Sequence, residues 1–276
     1  MPYLGYGEAF RRIREQKQLP LSYFSKLGVD KTDLSRFERG MTMMGVGRVD
    51  ALLQSVDVSL AEYELIVNNF IPDFQEEFLL TLEKADLDRD EQKLKKLYEE
   101  ARSSGYYFLS LASKARFCQL NEAEITRSME FLNGIKIWGY FELCVSYFIL
   151  DNLSTEDIIE LFEVYEEKNK NYLHIFKYRR KMLQTAYHSV IIFSSRGEQG
   201  YAQAVLENTG AKGREVDIYI ALLRRLAQDV YMYCFEDKVQ GLTNIKATLF
   251  IFDEVDYGEV KTFHKEVIEK HLNIDL

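Results

Sequence analysis

Residues 8–40 read EAFRRIREQKQLPLSYFSKLGVDKTDLSRFERG, and the placing of apolar against basic positions in this stretch decides how the chain is organised. Ile13, Leu21, Phe24, Leu27, Leu34 and Phe37 fall at spacings that let three short helices share one small core. Gly28 supplies a turn geometry that residues with a Cβ resist. Asp30 is placed to cap the third helix and complement its positive N-terminal end, and Gly40 closes that helix. The layout is a helix-turn-helix. It presents Lys31, Thr32, Ser35 and Arg36 outward, with Arg36 suited to a bidentate guanine contact and Lys31 and Thr32 at the end nearest the base edges. Arg11, Arg14 and Arg39 are expected to hold phosphates.

The net charge of -9 excludes a uniformly DNA-coating protein, but residues 1–40 carry eight basic side chains against five acidic ones. The basic footprint is local, and local cations govern phosphate affinity. With 276 residues the chain has room for such a head and a second, larger domain. Cys118, Cys144 and Cys234 lie far apart in apolar sequence without a CxxC pair, which predicts buried reduced thiols. No signal peptide and no apolar run long enough to span a membrane are found, so a cytoplasmic protein is expected.

All three prolines, Pro2, Pro20 and Pro72, lie in the first quarter, and apolar residues beyond them recur at three and four, as in Phe78, Leu79, Leu82 and Ile158, Leu161, Phe162, Tyr165. An all-α chain is predicted. Expected helices span 7–17, 21–26, 31–39, 46–55, 59–70, 73–85, 90–103, 106–118, 121–134, 136–150, 155–168, 171–195, 200–208, 214–236, 240–251 and 258–272, with Asp73, Asn121 and Ser154 as starts. Pairs of such helices joined by short polar links point to an α-solenoid of degenerate tetratricopeptide-like units. The domains predicted are a helix-turn-helix domain over 1–70 and a tetratricopeptide-like sensing and dimerisation domain over 71–276.

RRIREQKQL, LGV, LSRFERG and VSLAEYE resemble the helix-turn-helix of the Xre class. LSRFERG followed by a long helical region, WGYFELCVSYFI, and the helix ending in VIIFSSRGEQGYAQAVLE resemble Rgg-type (Rgg/GadR/MutR) regulators of Gram-positive bacteria, over essentially the whole chain. The resemblance implies a quorum-sensing transcription regulator: a dimer whose tetratricopeptide-like domain binds an imported peptide pheromone. Three departures accompany it. Pro20, Leu21 and Ser22 replace the Gln that touches backbone phosphate at the start of the second helix, the link from Ser25 to Gly28 is one residue shorter, and the head holds no Cys.

Polar rows suit such a ligand. Arg180, Gln184 and His188 recur every fourth residue on one helix, and Arg224, Gln228 and Tyr231 nearly so on another. A peptide in extended form offers unpaired N–H and C=O groups and a terminal carboxylate, which amide, imidazole, hydroxyl and guanidinium groups satisfy. Tyr140 and Tyr147 are expected to face the pocket, while Trp138, Phe141, Val145 and Phe148 form core. The family resemblance implies an Asn near position 188, where this chain has His188. His174, His264 and His271 are read as scattered surface or packing residues. Val255, Val260, Phe263, Val267 and Ile268 are expected to make dimer contacts.

Asp86, Asp88 and Asp90 imitate the opening of a calcium loop, but Glu91 replaces the required Gly and Leu97 the final acid. No nucleophile elbow, paired catalytic constellation, phosphate loop or metal cluster is found, and neither a cofactor nor an enzyme is predicted. The alternatives are a helical-repeat interaction adaptor, and a transcription regulator that senses a small molecule other than a peptide.

Overall fold

The computed structural model describes residues 4–70, 73–169, 174–210 and 217–276. Pro2, Pro72 and the expected helix starts at 171 and 214 lie outside them. The described residues are helical, with no strand among them, and the chain forms two compact units, Met1–Phe78 and Leu79–Leu276.

The first unit contains α1 (Leu4–Gln16), a 3-10 helix (Leu21–Leu27), α2 (Lys31–Glu38), α3 (Val46–Gln54) and α4 (Leu60–Val67). Phe10, Phe24, Leu34, Phe37, Leu52 and Leu53 are its most deeply buried side chains. Only seven residues separate Pro20 from Gly28, and they adopt the tighter helix. Gly28 ends it at φ 70°, in the left-handed region. Leu27, predicted as core, is 40% exposed, because Val29 beyond the turn takes the inward place. Asp30 accepts from the Thr32 amide at 2.7 Å, which holds its carboxyl below the ordinary value. Gly40, at φ 66°, lets its own amide and that of Met41 reach back to the Phe37 and Arg36 carbonyls.

The second unit is a solenoid of helix pairs. It comprises most of α5 (Phe74–Leu87), then α6 (Glu91–Ser103), α7 (Tyr107–Lys114), α8 (Glu122–Gly134), α9 (Tyr140–Ile149), a 3-10 turn (Leu150–Asn152) and α10 (Thr155–Asn169). There follow α11 (Phe176–Ser195), α12 (Gln199–Gly210), α13 (Ile218–Phe235), α14 (Lys238–Glu254) and α15 (Gly258–Leu272). Sequential pairs α6/α7, α11/α12 and α13/α14 pack together, while α11 also meets α9, α13 and α15. Asp73 accepts from the Glu76 amide, Asn121 from Glu124 and Ser154 from Asp157, so these three starts stand where the sequence puts them.

Trp138, Val145 and Phe148 are fully buried, whereas Phe141 is only half-buried. Cys144 is buried and its thiol is pushed up to about 12, chiefly by burial. Cys118, predicted buried, is exposed. The C-terminal apolar row also differs from expectation: Val260, Phe263, Val267 and Ile268 are buried within this chain, and Val255 is 43% exposed. An amphipathic helix signals that its apolar face is covered but not by what; here the chain itself covers it. These four residues are therefore spent on folding rather than on a partner.

The α13/α14 pair depends on Gly241. A Cβ there meets the Tyr233 amide nitrogen at 2.4 Å, a backbone atom that cannot rotate away. Gly241→Ala is expected to cost about 2–4 kcal/mol, read as a lower urea midpoint.

Candidate functional sites

The outward face of α2 has the composition of a reading helix. Lys31, Thr32 and Arg36 are exposed and Ser35 is half-buried, while Leu34 and Phe37 on the opposite side enter the core. The capped N-terminus of α2 adds its partial positive charge to Lys31. Arg39 is exposed and donates to the Ser35 carbonyl at 3.1 Å. Arg11 pairs with Glu15 at 2.7 Å and Arg12 with Glu8 at 2.9 Å on the surface. Exposed pairs of this kind hold weakly, so Arg11 keeps its freedom to turn to a phosphate.

Arg14 is differently employed. Its Nε and Nη2 donate to the two Glu38 oxygens at 2.6 and 2.8 Å, and Nη1 donates to the Leu19 carbonyl at 2.8 Å. The side chains are 12% and 5% exposed. This forked, largely desolvated pair ties α1 to the last turn of α2, so Arg14, expected to hold a phosphate, is instead engaged in positioning α2. Gly7 serves the same junction: a Cβ there falls 1.8 Å from the Phe37 carbonyl oxygen.

In the second unit, α5, α9, α11, α13 and α15 bring charged and aromatic groups together. Arg116 stands at the centre. Its Nε donates to Asp86 Oδ1 at 2.8 Å and its Nη1 to Asp151 Oδ2 at 2.8 Å. Burial opposes the guanidinium charge, but Asp86 and Asp151 outweigh it and raise its pKa. Asp151 Oδ1 in turn meets His188 Nε2 at 2.8 Å and His271 Nε2 at 3.0 Å. Burial alone raises the Asp151 carboxyl; His188, His271 and Arg116 reverse this and hold it well below the ordinary range. Asp86 therefore serves as an internal counter-ion, and Asp90 accepts from the Lys93 amide as a helix cap, so the false calcium loop dissolves into two structural roles.

Around that core lie most of the predicted ligand residues on α9 and α11. The Tyr147 ring is 6.1 Å from the His188 ring, and the buried Lys181 stands over it at 4.6 Å while pairing with Glu83. Tyr140 packs against Tyr178 at 5.8 Å under Lys177. Arg180 is 43% exposed, lies 5.0 Å from the Tyr219 ring and 3.3 Å from Asp217. Gln184 is half-buried and favours the charged form of the neighbouring Tyr219, though burial outweighs it and pushes that hydroxyl up. The α13 row is less unified. Tyr231 accepts from Gln199 at 3.2 Å and packs on Phe235, Gln228 is exposed, and the buried Arg224 Nε has no hydrogen-bond partner.

Sequence reading missed Lys181, Arg116, Asp151, Tyr219 and His271. Lys181 carries a readable signal, a charge inside the otherwise apolar face of α11; the others join the cluster only through chain-distant packing. His264 belongs to the packing class as expected. It sits among Tyr219, Phe252 and Phe263, and burial pushes its pKa from 6.5 to about 3. The unfolded chain thus takes up a proton below pH 6.5 that the native chain refuses, and stability falls with pH down to about 3. From pH 6.5 to 5 this group is expected to cost about 2 kcal/mol. His264→Phe should flatten that slope in urea unfolding followed by the fluorescence of Trp138, the chain's one tryptophan.

Residues 79–266 match the family described as HTH-type transcriptional regulator Rgg, C-terminal domain. The chain superposes on a putative transcriptional regulator from Listeria monocytogenes EGD-e with a TM-score of 0.80 at 14% identity, over 98% of each chain. The SHP pheromone receptor Rgg2 of Streptococcus dysgalactiae superposes with a TM-score of 0.74 at 20% identity, over 96% of this chain and 99% of that one. PrgX in its complex with cCF10 gives 0.69 at 12% identity, over 99% and 94%. At such identities these likenesses establish the fold.

Proposed function

The chain belongs to the Rgg family of HTH-type transcriptional regulators, and from that premise we propose that it binds promoter DNA in a sequence-specific way, as a cytoplasmic homodimer, under the control of a short peptide. The observation that carries the DNA half is the exposed row Lys31, Thr32 and Arg36 on a helix whose opposite side is core. Arg36 reads guanine, Lys31 and Thr32 approach base edges, and Arg11 and Arg39 hold phosphates. Two heads in one dimer read half-sites one helical turn, or a multiple, apart.

The peptide half draws support from two related folds: Rgg2 is a pheromone receptor by its description, and PrgX is solved with cCF10. In this chain the surface around Tyr140, Tyr147, Arg180 and Gln184 offers ring faces, an amide and a partly exposed guanidinium. Arg180 takes the terminal carboxylate; Gln184 and Tyr140 take main-chain groups. His188 acts on the peptide through its hold on Asp151 and its packing on Tyr147.

Calorimetry of the full chain with synthetic peptides, translated from short reading frames beside its gene, tests this reading. One peptide is expected to bind saturably at about micromolar Kd or tighter, and Arg180→Ala to weaken it by roughly 10- to 100-fold. Saturable binding by none of them counts against peptide control and in favour of an adaptor or small-molecule sensor.

A further inference from the structure

We propose that Asp151, His188 and His271 form a binding site for one divalent ion of the zinc class, which clips the C-terminal helix to the centre of the second unit. The proposal shares His188 and Asp151 with the peptide reading but does not depend on it, and zinc binding is tested without peptide. One carboxylate oxygen and two imidazole nitrogens lie within 4.8 Å of one another. They come from three separate elements: Asp151 from the 3-10 turn, His188 from α11 and His271 from α15.

Four features favour an ion over a chance meeting of polar groups. The donor set, two imidazoles and one carboxylate, suits zinc and its neighbours and not magnesium or calcium. The spacing is right: around a tetrahedral zinc the ligand atoms stand about 3.3 Å apart, and Oδ1 already lies 2.8 and 3.0 Å from the two Nε2 atoms. Small movements that open these two distances and gather the three ligand atoms, all within 4.8 Å of one another, about one point admit the ion. The site is sheltered, with side-chain exposures of 11%, 8% and 15% for Asp151, His188 and His271. Finally, Arg116 fixes Asp151 through Oδ2, leaving Oδ1 as a single pre-aimed ligand, the role outer-shell donors play at metal centres.

Charge agrees. Arg116 and Arg89 face Asp86, Asp151 and Glu266, two cations against three carboxylates, a surplus of one negative charge among these side chains. A divalent ion reverses that surplus by its own charge and takes the place of any proton between the two Nε2 atoms and Oδ1. Three protein ligands leave a fourth position for water or an external donor. The span from Asp151 to His271 is 120 residues, so the ion closes a long loop and binds the folded state in preference to the unfolded one.

The test uses the full chain, untagged and stripped with a chelator, titrated with zinc chloride by calorimetry, with magnesium chloride as control. One zinc per chain is expected, with no saturable magnesium binding and a rise of several degrees in the melting temperature. His271→Ala and His188→Ala should each weaken zinc at least about 100-fold and abolish the rise, and cobalt should give the visible absorption of a four- or five-coordinate ion with nitrogen ligands. His174→Ala, on an exposed residue, should change nothing. Absence of saturable zinc binding, or equal zinc affinity in His271→Ala and wild type, overturns the proposal and leaves the two imidazoles as simple donors to Asp151.

Discussion

Replacing Arg116 by methionine is expected to lower the stability of the second unit by roughly 3–5 kcal/mol. The side chain is 4% exposed and its two carboxylate partners are 4% and 11% exposed. Methionine fills the volume but leaves Asp86 and Asp151 facing each other without the cation between them. Arg89, 3.6 Å from Asp86 and shared with Glu266, compensates only in part. Trp138 lies in this unit and is its buried reporter, so urea unfolding followed by its fluorescence isolates the effect. Asp86→Asn in the Arg116→Met background should recover part of the loss, because it removes one of the two uncompensated charges. Equal stability of Arg116→Met and wild type counts against the cluster as the organising centre of the unit.

Reversing Arg36 to glutamate is expected to weaken specific DNA binding by roughly 1000-fold or more. A bidentate guanine contact is worth about 1–3 kcal/mol per head, and the new carboxylate adds repulsion from the phosphates, in both heads of a dimer. Fold should be spared, since Arg36 is exposed and the pair that anchors α2 is Arg14 with Glu38. Arg14→Met offers the contrast: it too should reduce DNA binding, but with a fall in head stability, because Glu38 is then buried without its partner. Fluorescence anisotropy with duplex DNA, together with head unfolding by circular dichroism, separates the two outcomes.

The head was readable because its determinants are local. Asp30, Gly28, Gly40 and the inward row Ile13, Phe24, Leu34 and Phe37 act within a few residues of where they stand, through caps, left-handed turns and helical spacing. What escaped depended on contacts between elements. Arg14 looks like any basic residue on an amphipathic helix until Glu38 is found across the junction. In the second unit the helical character followed from apolar periodicity and the starts at Asp73, Asn121 and Ser154 from their capping side chains, while α9 begins at Tyr140 rather than at 136; the Arg116 cluster joins residues 30 and 35 positions away, at Asp86 and Asp151. No periodic pattern records such a meeting. The polar row on α11 was visible as spacing, but that His188 is occupied by Asp151 was not. The apolar row of α15 shows the same limit: periodicity marked a covered face and left open whether the chain or a partner covers it.

The central claim, that the outward face of α2 reads DNA, is tested most directly by selection from a random duplex library with the 276-residue chain at physiological salt. The account predicts enrichment of one motif with two-fold symmetry, its half-sites one helical turn or a multiple apart, and loss of that motif when Arg36 is replaced by glutamate. A library that stays unenriched, or the same motif returned by wild type and the Arg36→Glu variant alike, contradicts it.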